Sequence, residues 1–177
     1  MNDKNARIQI GRFSIPPSYQ IGESSPTKSV AAIVASFPTM KPYGQQMRAA
    51  TADKLRIVIS EPGNRTRAES VLADFERLKN SSAIARPHFV GELDGYRMYR
   101  IQLDKLGRIT QNWRITTLDD GSILGIEETG SHSTTLSGNR RLEGMEITYS
   151  FRKTLKAAPE EVDRAVVRLL KSFLAEQ

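Results

Sequence analysis

Two histidines, a serine-rich stretch and two adjacent glutamates are the residues of this 177-residue chain whose types could do catalytic chemistry. His132 lies between Ser131 and Ser133, so a Ser–His–acid relay is conceivable there. The imidazole would take the serine proton and a carboxylate would orient the ring. No GxSxG elbow is present to hold such a serine on a sharp strand-to-helix turn. Loop composition is the better reading of those serines. His88 follows Pro87 at an expected strand start. Glu127 and Glu128 could supply two carboxylates, but neighbours on a strand point to opposite faces, which argues against a glycosidase-like pair. Asp119-Asp120-Gly121 matches a hairpin turn better than a chelating loop, and no HExxH or calcium-loop pattern occurs. Phosphate-loop and dinucleotide fingerprints are missing too. With no cysteine, thiolate catalysis, thiolate ligation and disulfides are excluded. The expectation is no enzyme, no metal and no cofactor.

What the chain does carry is an inventory for recognition. Tyr96, Arg97, Met98, Tyr99 and Arg100 make a dense aromatic and basic patch. Tyrosine and arginine recur at interface hot spots because each joins apolar area to polar contacts. The plainer alternative makes Tyr99 a core residue and leaves Arg97 and Arg100 merely solvated. Arg140 and Arg141 are a second basic pair, placed to meet an acidic surface. The expected protein-binding residues are therefore Tyr96, Arg97, Arg100, Arg140 and Arg141. Trp113 is expected to anchor the core.

The formal charge of +6 and pI near 9.7 favour acidic partners. Basic residues are scattered among 20 acidic ones, so specific nucleic-acid binding is not expected. A hydrophobic fraction of 38% and a charged fraction of 26% suit a globular protein. The longest apolar run, Val30 to Ala35, is far short of the roughly 18 residues of a membrane helix. Met1 to Arg12 lacks the apolar core of a secretory signal. The expected location is the periplasm if a leader has been removed, and otherwise the cytoplasm.

These residues must be held by a small set of elements. Ile8, Ile10, Phe13 and Ile15 change parity at Gly11, and a bulge there would let one strand keep all four inside. Pro16 and Pro17 end its pairing; Tyr19 to Gly22 resume as an extended segment, and Ser24 to Pro26 turn. Ser29 to Phe37 fits a helix or a buried strand equally well. Pro38 to Gln46 reads as loop, and Leu55 to Ser60 as a strand. Thr66 and Glu69 form a capping box before a helix with Ala68, Val71, Leu72, Phe75 and Leu78 on one face. Asp94-Gly95 joins two strands in a tight hairpin. A second hairpin places Ile109, Gln111, Trp113, Ile115 and Thr117 on one face. Gly130 to Arg141 reads as an exposed, mobile loop. Met145, Ile147, Tyr149 and Phe151 alternate along a strand. Pro159 then opens a helix whose stripe runs from Val162 to Leu174 and must cover the sheet.

Two segments bear a family resemblance. GRFSIPPSYQIG is similar to the opening strand of bacterial immunity lipoproteins that counter type VI secretion lipase effectors. EITYSFRKTLKAAPEEVDRAVVRLLKSFLAEQ resembles their closing strand and helix, and the same outline is similar to the PsbP/Mog1-like group. The lipobox cysteine of the lipoproteins has no counterpart. The elements and the chain length predict an α+β fold, a twisted antiparallel β-sheet flanked by amphipathic helices, in a single domain over residues 1–177 with 1–6 disordered, and the PsbP/Mog1-like resemblance implies the same sheet and helices. The lipoprotein resemblance implies a non-catalytic inhibitor of a secreted toxin or effector, and the positive charge favours an acidic surface on that partner; a PsbP/Mog1-like accessory or assembly factor binding an endogenous protein is the alternative.

Overall fold

The computed structural model describes residues 7–20, 29–43, 53–130 and 132–174. The strands and helices are, in chain order, β1 (Ile8–Ile10), β2 (Phe13–Ile15), β3 (Val30–Ser36), β4 (Lys41–Pro42), β5 (Lys54–Ser60), α1 (Arg67–Leu78), β6 (Pro87–Leu93), β7 (Tyr96–Gln102), β8 (Thr110–Thr117), β9 (Ile123–Thr129), β10 (Thr135–Leu142), β11 (Met145–Arg152) and α2 (Pro159–Lys171). The fold is mixed α+β, antiparallel throughout its sheet pairing, with two α-helices among the described residues. Contacts divide the chain into two compact units, residues 1–62 with 142–177, and residues 63–141. The expected disorder of residues 1–6, the extended segment as far as Gly22 and the turn at Ser24 to Pro26 fall wholly or partly outside the described residues.

In the first unit β3, β5 and β11 pair side by side, with β4 on the outer edge of β3. Register places Ile33 opposite Ile57 and Ile57 opposite Tyr149, so their buried side chains form one apolar layer. The ambiguous Ser29–Phe37 segment is thus a strand. Alanine-rich as it is, its β-branched residues fill a surface buried on the pleat. The stripe of α2 is buried from Val162 through Leu170, and the Tyr149 hydroxyl donates to Asp163 Oδ1 at 3.0 Å. That bond fixes α2 on the layer's apolar face. Pro159 stands in its first turn, where a missing N–H costs nothing.

The opening strand differs from expectation. Gly11 does not form a bulge in one strand; it starts a two-residue turn between β1 and β2, with Ile10 opposite Phe13 and Ile8 opposite Ile15. Its φ of +53° suits the first turn position of a tight hairpin, where glycine avoids a steric cost. A hairpin and a bulge both resolve the parity switch, and the hairpin adds a ladder of its own. The hairpin is tied to the end of α2, since Ser14 N–H donates to the Phe173 carbonyl at 2.7 Å. Arg12 pairs with Glu143 at 2.6 Å.

The second unit is a meander in which β6, β7, β8, β9 and β10 pair in sequence. Asp94 and Gly95 have φ of +51° and +79°, as the tight hairpin turn requires. Leu118 N–H to the Ser122 carbonyl closes the second hairpin at 2.9 Å. Helix α1 lies on one face, where Ala68, Val71, Tyr99, Ile101, Trp113 and Ile115 form a buried cluster flanked by Leu72 and Phe75. The capping box forms as expected: Thr66 Oγ1 accepts from Glu69 N–H, and Glu69 Oε2 accepts from Thr66 N–H. One residue expected on the covered face lies outside. Ile109 is exposed, as is Leu103, because both sit in the β7–β8 connection, which closes on itself through Leu103 N–H to the Ile109 carbonyl.

The largest correction concerns Gly130 to Arg141. Most of it is β10, not a loop, and Asn139 and Arg140 are among the most enclosed polar residues described. Polar composition misleads here because the strand buries side chains that have specific partners rather than apolar ones. Asn139 Oδ1 accepts the Ala68 amide at 2.9 Å, satisfying an otherwise orphaned donor in the first turn of α1.

Gly125 of β9 allows α1 to come this close. A Cβ there would stand 2.6 Å from Ala68 Cβ and 2.8 Å from Trp113 Cζ3. Gly125 does not have a positive φ, so an alanine would suffer from packing and not from backbone strain. Gly125→Ala should cost about 1–3 kcal/mol of stability, as overpacking typically does. Urea unfolding would show a lower midpoint at unchanged slope; an unshifted midpoint would contradict this packing.

Candidate protein-binding site

Each strand of the second unit offers alternate residues to two faces, and this sorts its charged groups. On the face under α1, Glu127 is buried, accepting from Gln111 Nε2 and Thr129 Oγ1 and pairing with Arg67. The Arg67 guanidinium also lies over the Trp113 ring, 5.5 Å from its centroid. Glu128, one residue on, faces the other way, so the two glutamates do not converge on one point. Phe75 and Phe89 each meet Tyr99 edge to face, and Arg97 stacks over both Phe89 and Tyr99 at 5.5 Å. Burial pushes the Tyr99 phenol up from its ordinary value of 10.0, and the Arg97 charge opposes this. Tyr99 Oη and Trp113 Nε1 are buried without a hydrogen-bond partner among the described residues.

The five expected contact residues are not brought together as one patch. Tyr96 is 7% exposed and turned inward. Arg97 and Arg100 are exposed on opposite faces of β7. Arg140 is only 4% exposed; its guanidinium donates to Asp120 Oδ2 at 3.0 Å and Ser122 Oγ at 2.9 Å, pinning the β8–β9 turn. Hydrogen bonds from Ser122 first, with Arg140 adding to them, hold the Asp120 carboxyl below its usual 3.8. Arg141 is half-buried and reaches both carboxylate oxygens of Glu69, at 3.2 and 2.9 Å. Arg140 and Arg141 thus have fixed intramolecular acceptors. Arg100 uses Nε on Asn112 Oδ1 at 3.1 Å, and its terminal nitrogens meet no acceptor among the described residues.

The face of β7–β9 turned away from α1 holds a hollow of about 270 Å³, lined by Val90, Met98, Arg100, Arg114, Ile126 and Glu128. Arg114 was not among the expected contact residues. It is half-buried on β8 opposite Met98, and it has no hydrogen bond or ion pair among the described residues. Val90 is the extra residue of a β-bulge between Phe89 and Gly91, and is 51% exposed at the rim. The signal that would have found Arg114 is the register of the β7–β8 hairpin, which puts Arg100 opposite Asn112 and Met98 opposite Arg114. Spacing along a single strand does not contain it. Among the described residues, no three His, Asp or Glu are placed to hold a metal ion. His88 and His132 are both exposed.

These features define a mixed α+β fold built on antiparallel strands, with two helices among the described residues. No protein-family model matches the sequence, and no curated protein matches it. Solved structures do. The chain is similar to Smlt3025, an immunity protein of the Stenotrophomonas maltophilia type IV secretion system, with a TM-score of 0.62 and 12% identity over 97% of this chain and 94% of that one. It is also similar to FrpD, an iron-regulated outer membrane lipoprotein of Neisseria meningitidis, with a TM-score of 0.51 and 14% identity over 92% and 88%. At such identities the likeness is one of fold. The sequence resemblance pointed to type VI systems and this neighbour belongs to a type IV system, so what stands is a likeness of fold to a secretion-system immunity protein and no specific family.

The Glu69–Arg141 contact has a pH consequence. Hydrogen bonding from Arg141 above all, aided by the Thr66 amide and opposed by burial, holds the Glu69 carboxyl below its ordinary 4.5. A depressed pKa contributes stability that is complete above the unfolded value and lost as pH falls through the folded one. Below pH 4.5 the start of α1 should therefore loosen. Glu69→Gln should lower the urea midpoint at pH 7 and narrow its fall between pH 7 and pH 3; an equal fall in both proteins would remove Glu69 as a contributor.

Proposed function

We propose that this chain is a non-catalytic immunity protein that binds a toxin or effector of a bacterial secretion system and neutralises it by occupying its surface. The supporting observation is the fold shared with an immunity protein along nearly the whole of both chains. The absence of a recognised catalytic motif is consistent with this reading, and so is a net charge of +6, which favours an acidic partner. Neutralisation by occupancy requires no reaction, only an interface that outlasts the toxin's encounter with its target. Action in the periplasm is part of the proposal.

The likeness to an outer membrane lipoprotein favours a second reading, an accessory factor that binds an endogenous protein of the cell envelope. The two differ in one assay. Candidate toxins encoded beside this chain's gene would be expressed in a sensitive host, with and without the chain directed to the same compartment. Immunity predicts restored colony growth and a stable complex with one of those toxins on purification. Growth loss unchanged by the chain for every neighbour, together with a stable complex with a resident envelope protein, would decide for the accessory factor.

A further inference from the structure

We propose that the hollow on β7–β9 is the docking site for a carboxylate side chain of the protein partner, flanked on that partner by an apolar residue. The inference rests on the protein-binding reading above and names the chemistry of the contact. Register makes Arg100 and Arg114 diagonal neighbours across β7 and β8, about 7–8 Å apart at the backbone. Neither guanidinium meets a carboxylate among the described residues, whereas Arg67, Arg140 and Arg141 of the same unit each have one. Two like charges this close repel, and an incoming anion relieves that repulsion.

The walls say which anion. Val90, Met98 and Ile126 are apolar, so they exclude water from the contact and strengthen an ion pair made beside them. Met98 can also adapt its unbranched side chain to an apolar neighbour. At about 270 Å³ the hollow falls just below the roughly 300–1,000 Å³ typical of small-molecule sites. It fits a side chain better than a whole cofactor. Glu128 in its lining opposes a polyanionic backbone, which disfavours nucleic acid and favours a single carboxylate beside the two arginines. The planar guanidinium fork is suited to such a partner because it can donate two parallel hydrogen bonds to one carboxylate.

The test uses the full-length, isotopically labelled chain and a short synthetic peptide with two glutamates beside a phenylalanine. Its amide signals would be followed during titration, and again with the same peptide carrying glutamine for glutamate. Shifts centred on Val90, Met98, Arg100, Arg114 and Ile126 are expected, with affinity at least about tenfold weaker for the glutamine peptide, the size of one charge-assisted hydrogen bond. Arg114→Glu should abolish the shifts. Because Arg114 is half-buried and its replacement could perturb the strand, Arg100→Glu, at an exposed position, is the second variant and should weaken binding similarly.

Equal binding of the glutamine peptide, equal binding of inorganic phosphate or duplex DNA at these residues, or self-association through this face would each overturn the assignment. Growth protection that survives both charge reversals would overturn it too, while leaving the immunity reading in place. Carboxylate binding at the hollow by a chain that protects against none of its neighbours would support the assignment and end the immunity reading.

Discussion

The second unit depends on a helix brought so close to a sheet that one strand residue must have no side chain. Ala68 lies over Gly125, with Trp113 packed against the same point. This closeness buries the first turn of α1, where backbone amides have no partner within the helix. Thr66 and Glu69 satisfy two of them locally, and Asn139 supplies a third acceptor from β10. An unmet buried donor typically costs about 1–3 kcal/mol, so the small apolar contact and the polar one are a single arrangement. Arg141 in turn steadies Glu69, and Arg67 connects Trp113 to Glu127. The polar residues of β10 are therefore structural, and their presence on a strand follows from the helix they serve.

Local periodicity was readable wherever burial was apolar. The alternation from Met145 to Phe151, the stripe of α2, the capping box of α1 and both hairpin turns of the meander follow from the order of residue types. Three features did not. Gly11 signalled a break in parity, but a bulge and a hairpin satisfy that signal equally, and only pairing partners distinguish them. The segment from Val30 to Ser36 is apolar on both readings, and its strand state comes from its neighbour β5. β10 was hidden because its buried residues are Asn139 and Arg140, whose acceptors and donors lie far away in sequence.

The same limit governs the candidate site. Arginine counts along the chain do not separate cations that hold the fold from cations that face outward. Arg140 and Arg141 are adjacent in sequence, yet they point to opposite faces and bind Asp120 and Glu69 respectively. Arg114 looks unremarkable in sequence, with Trp113 and Ile115 drawing attention as core. Its distinction appears only when β7 is laid beside it and no acid is found there. A free cation is a property of its surroundings.

The bulge in β6 has a further consequence. Within its unit β6 has no neighbour on its outer side, and it displays Phe89, Val90 and Leu93 to solvent. A flat strand with those residues would invite another chain to extend the sheet and polymerise. Pro87 has no amide to offer, and the irregularity at Val90 breaks the regular spacing that a foreign strand would need. The rim thereby shows its side chains to solvent without a regular backbone ladder, and a generic strand finds no template.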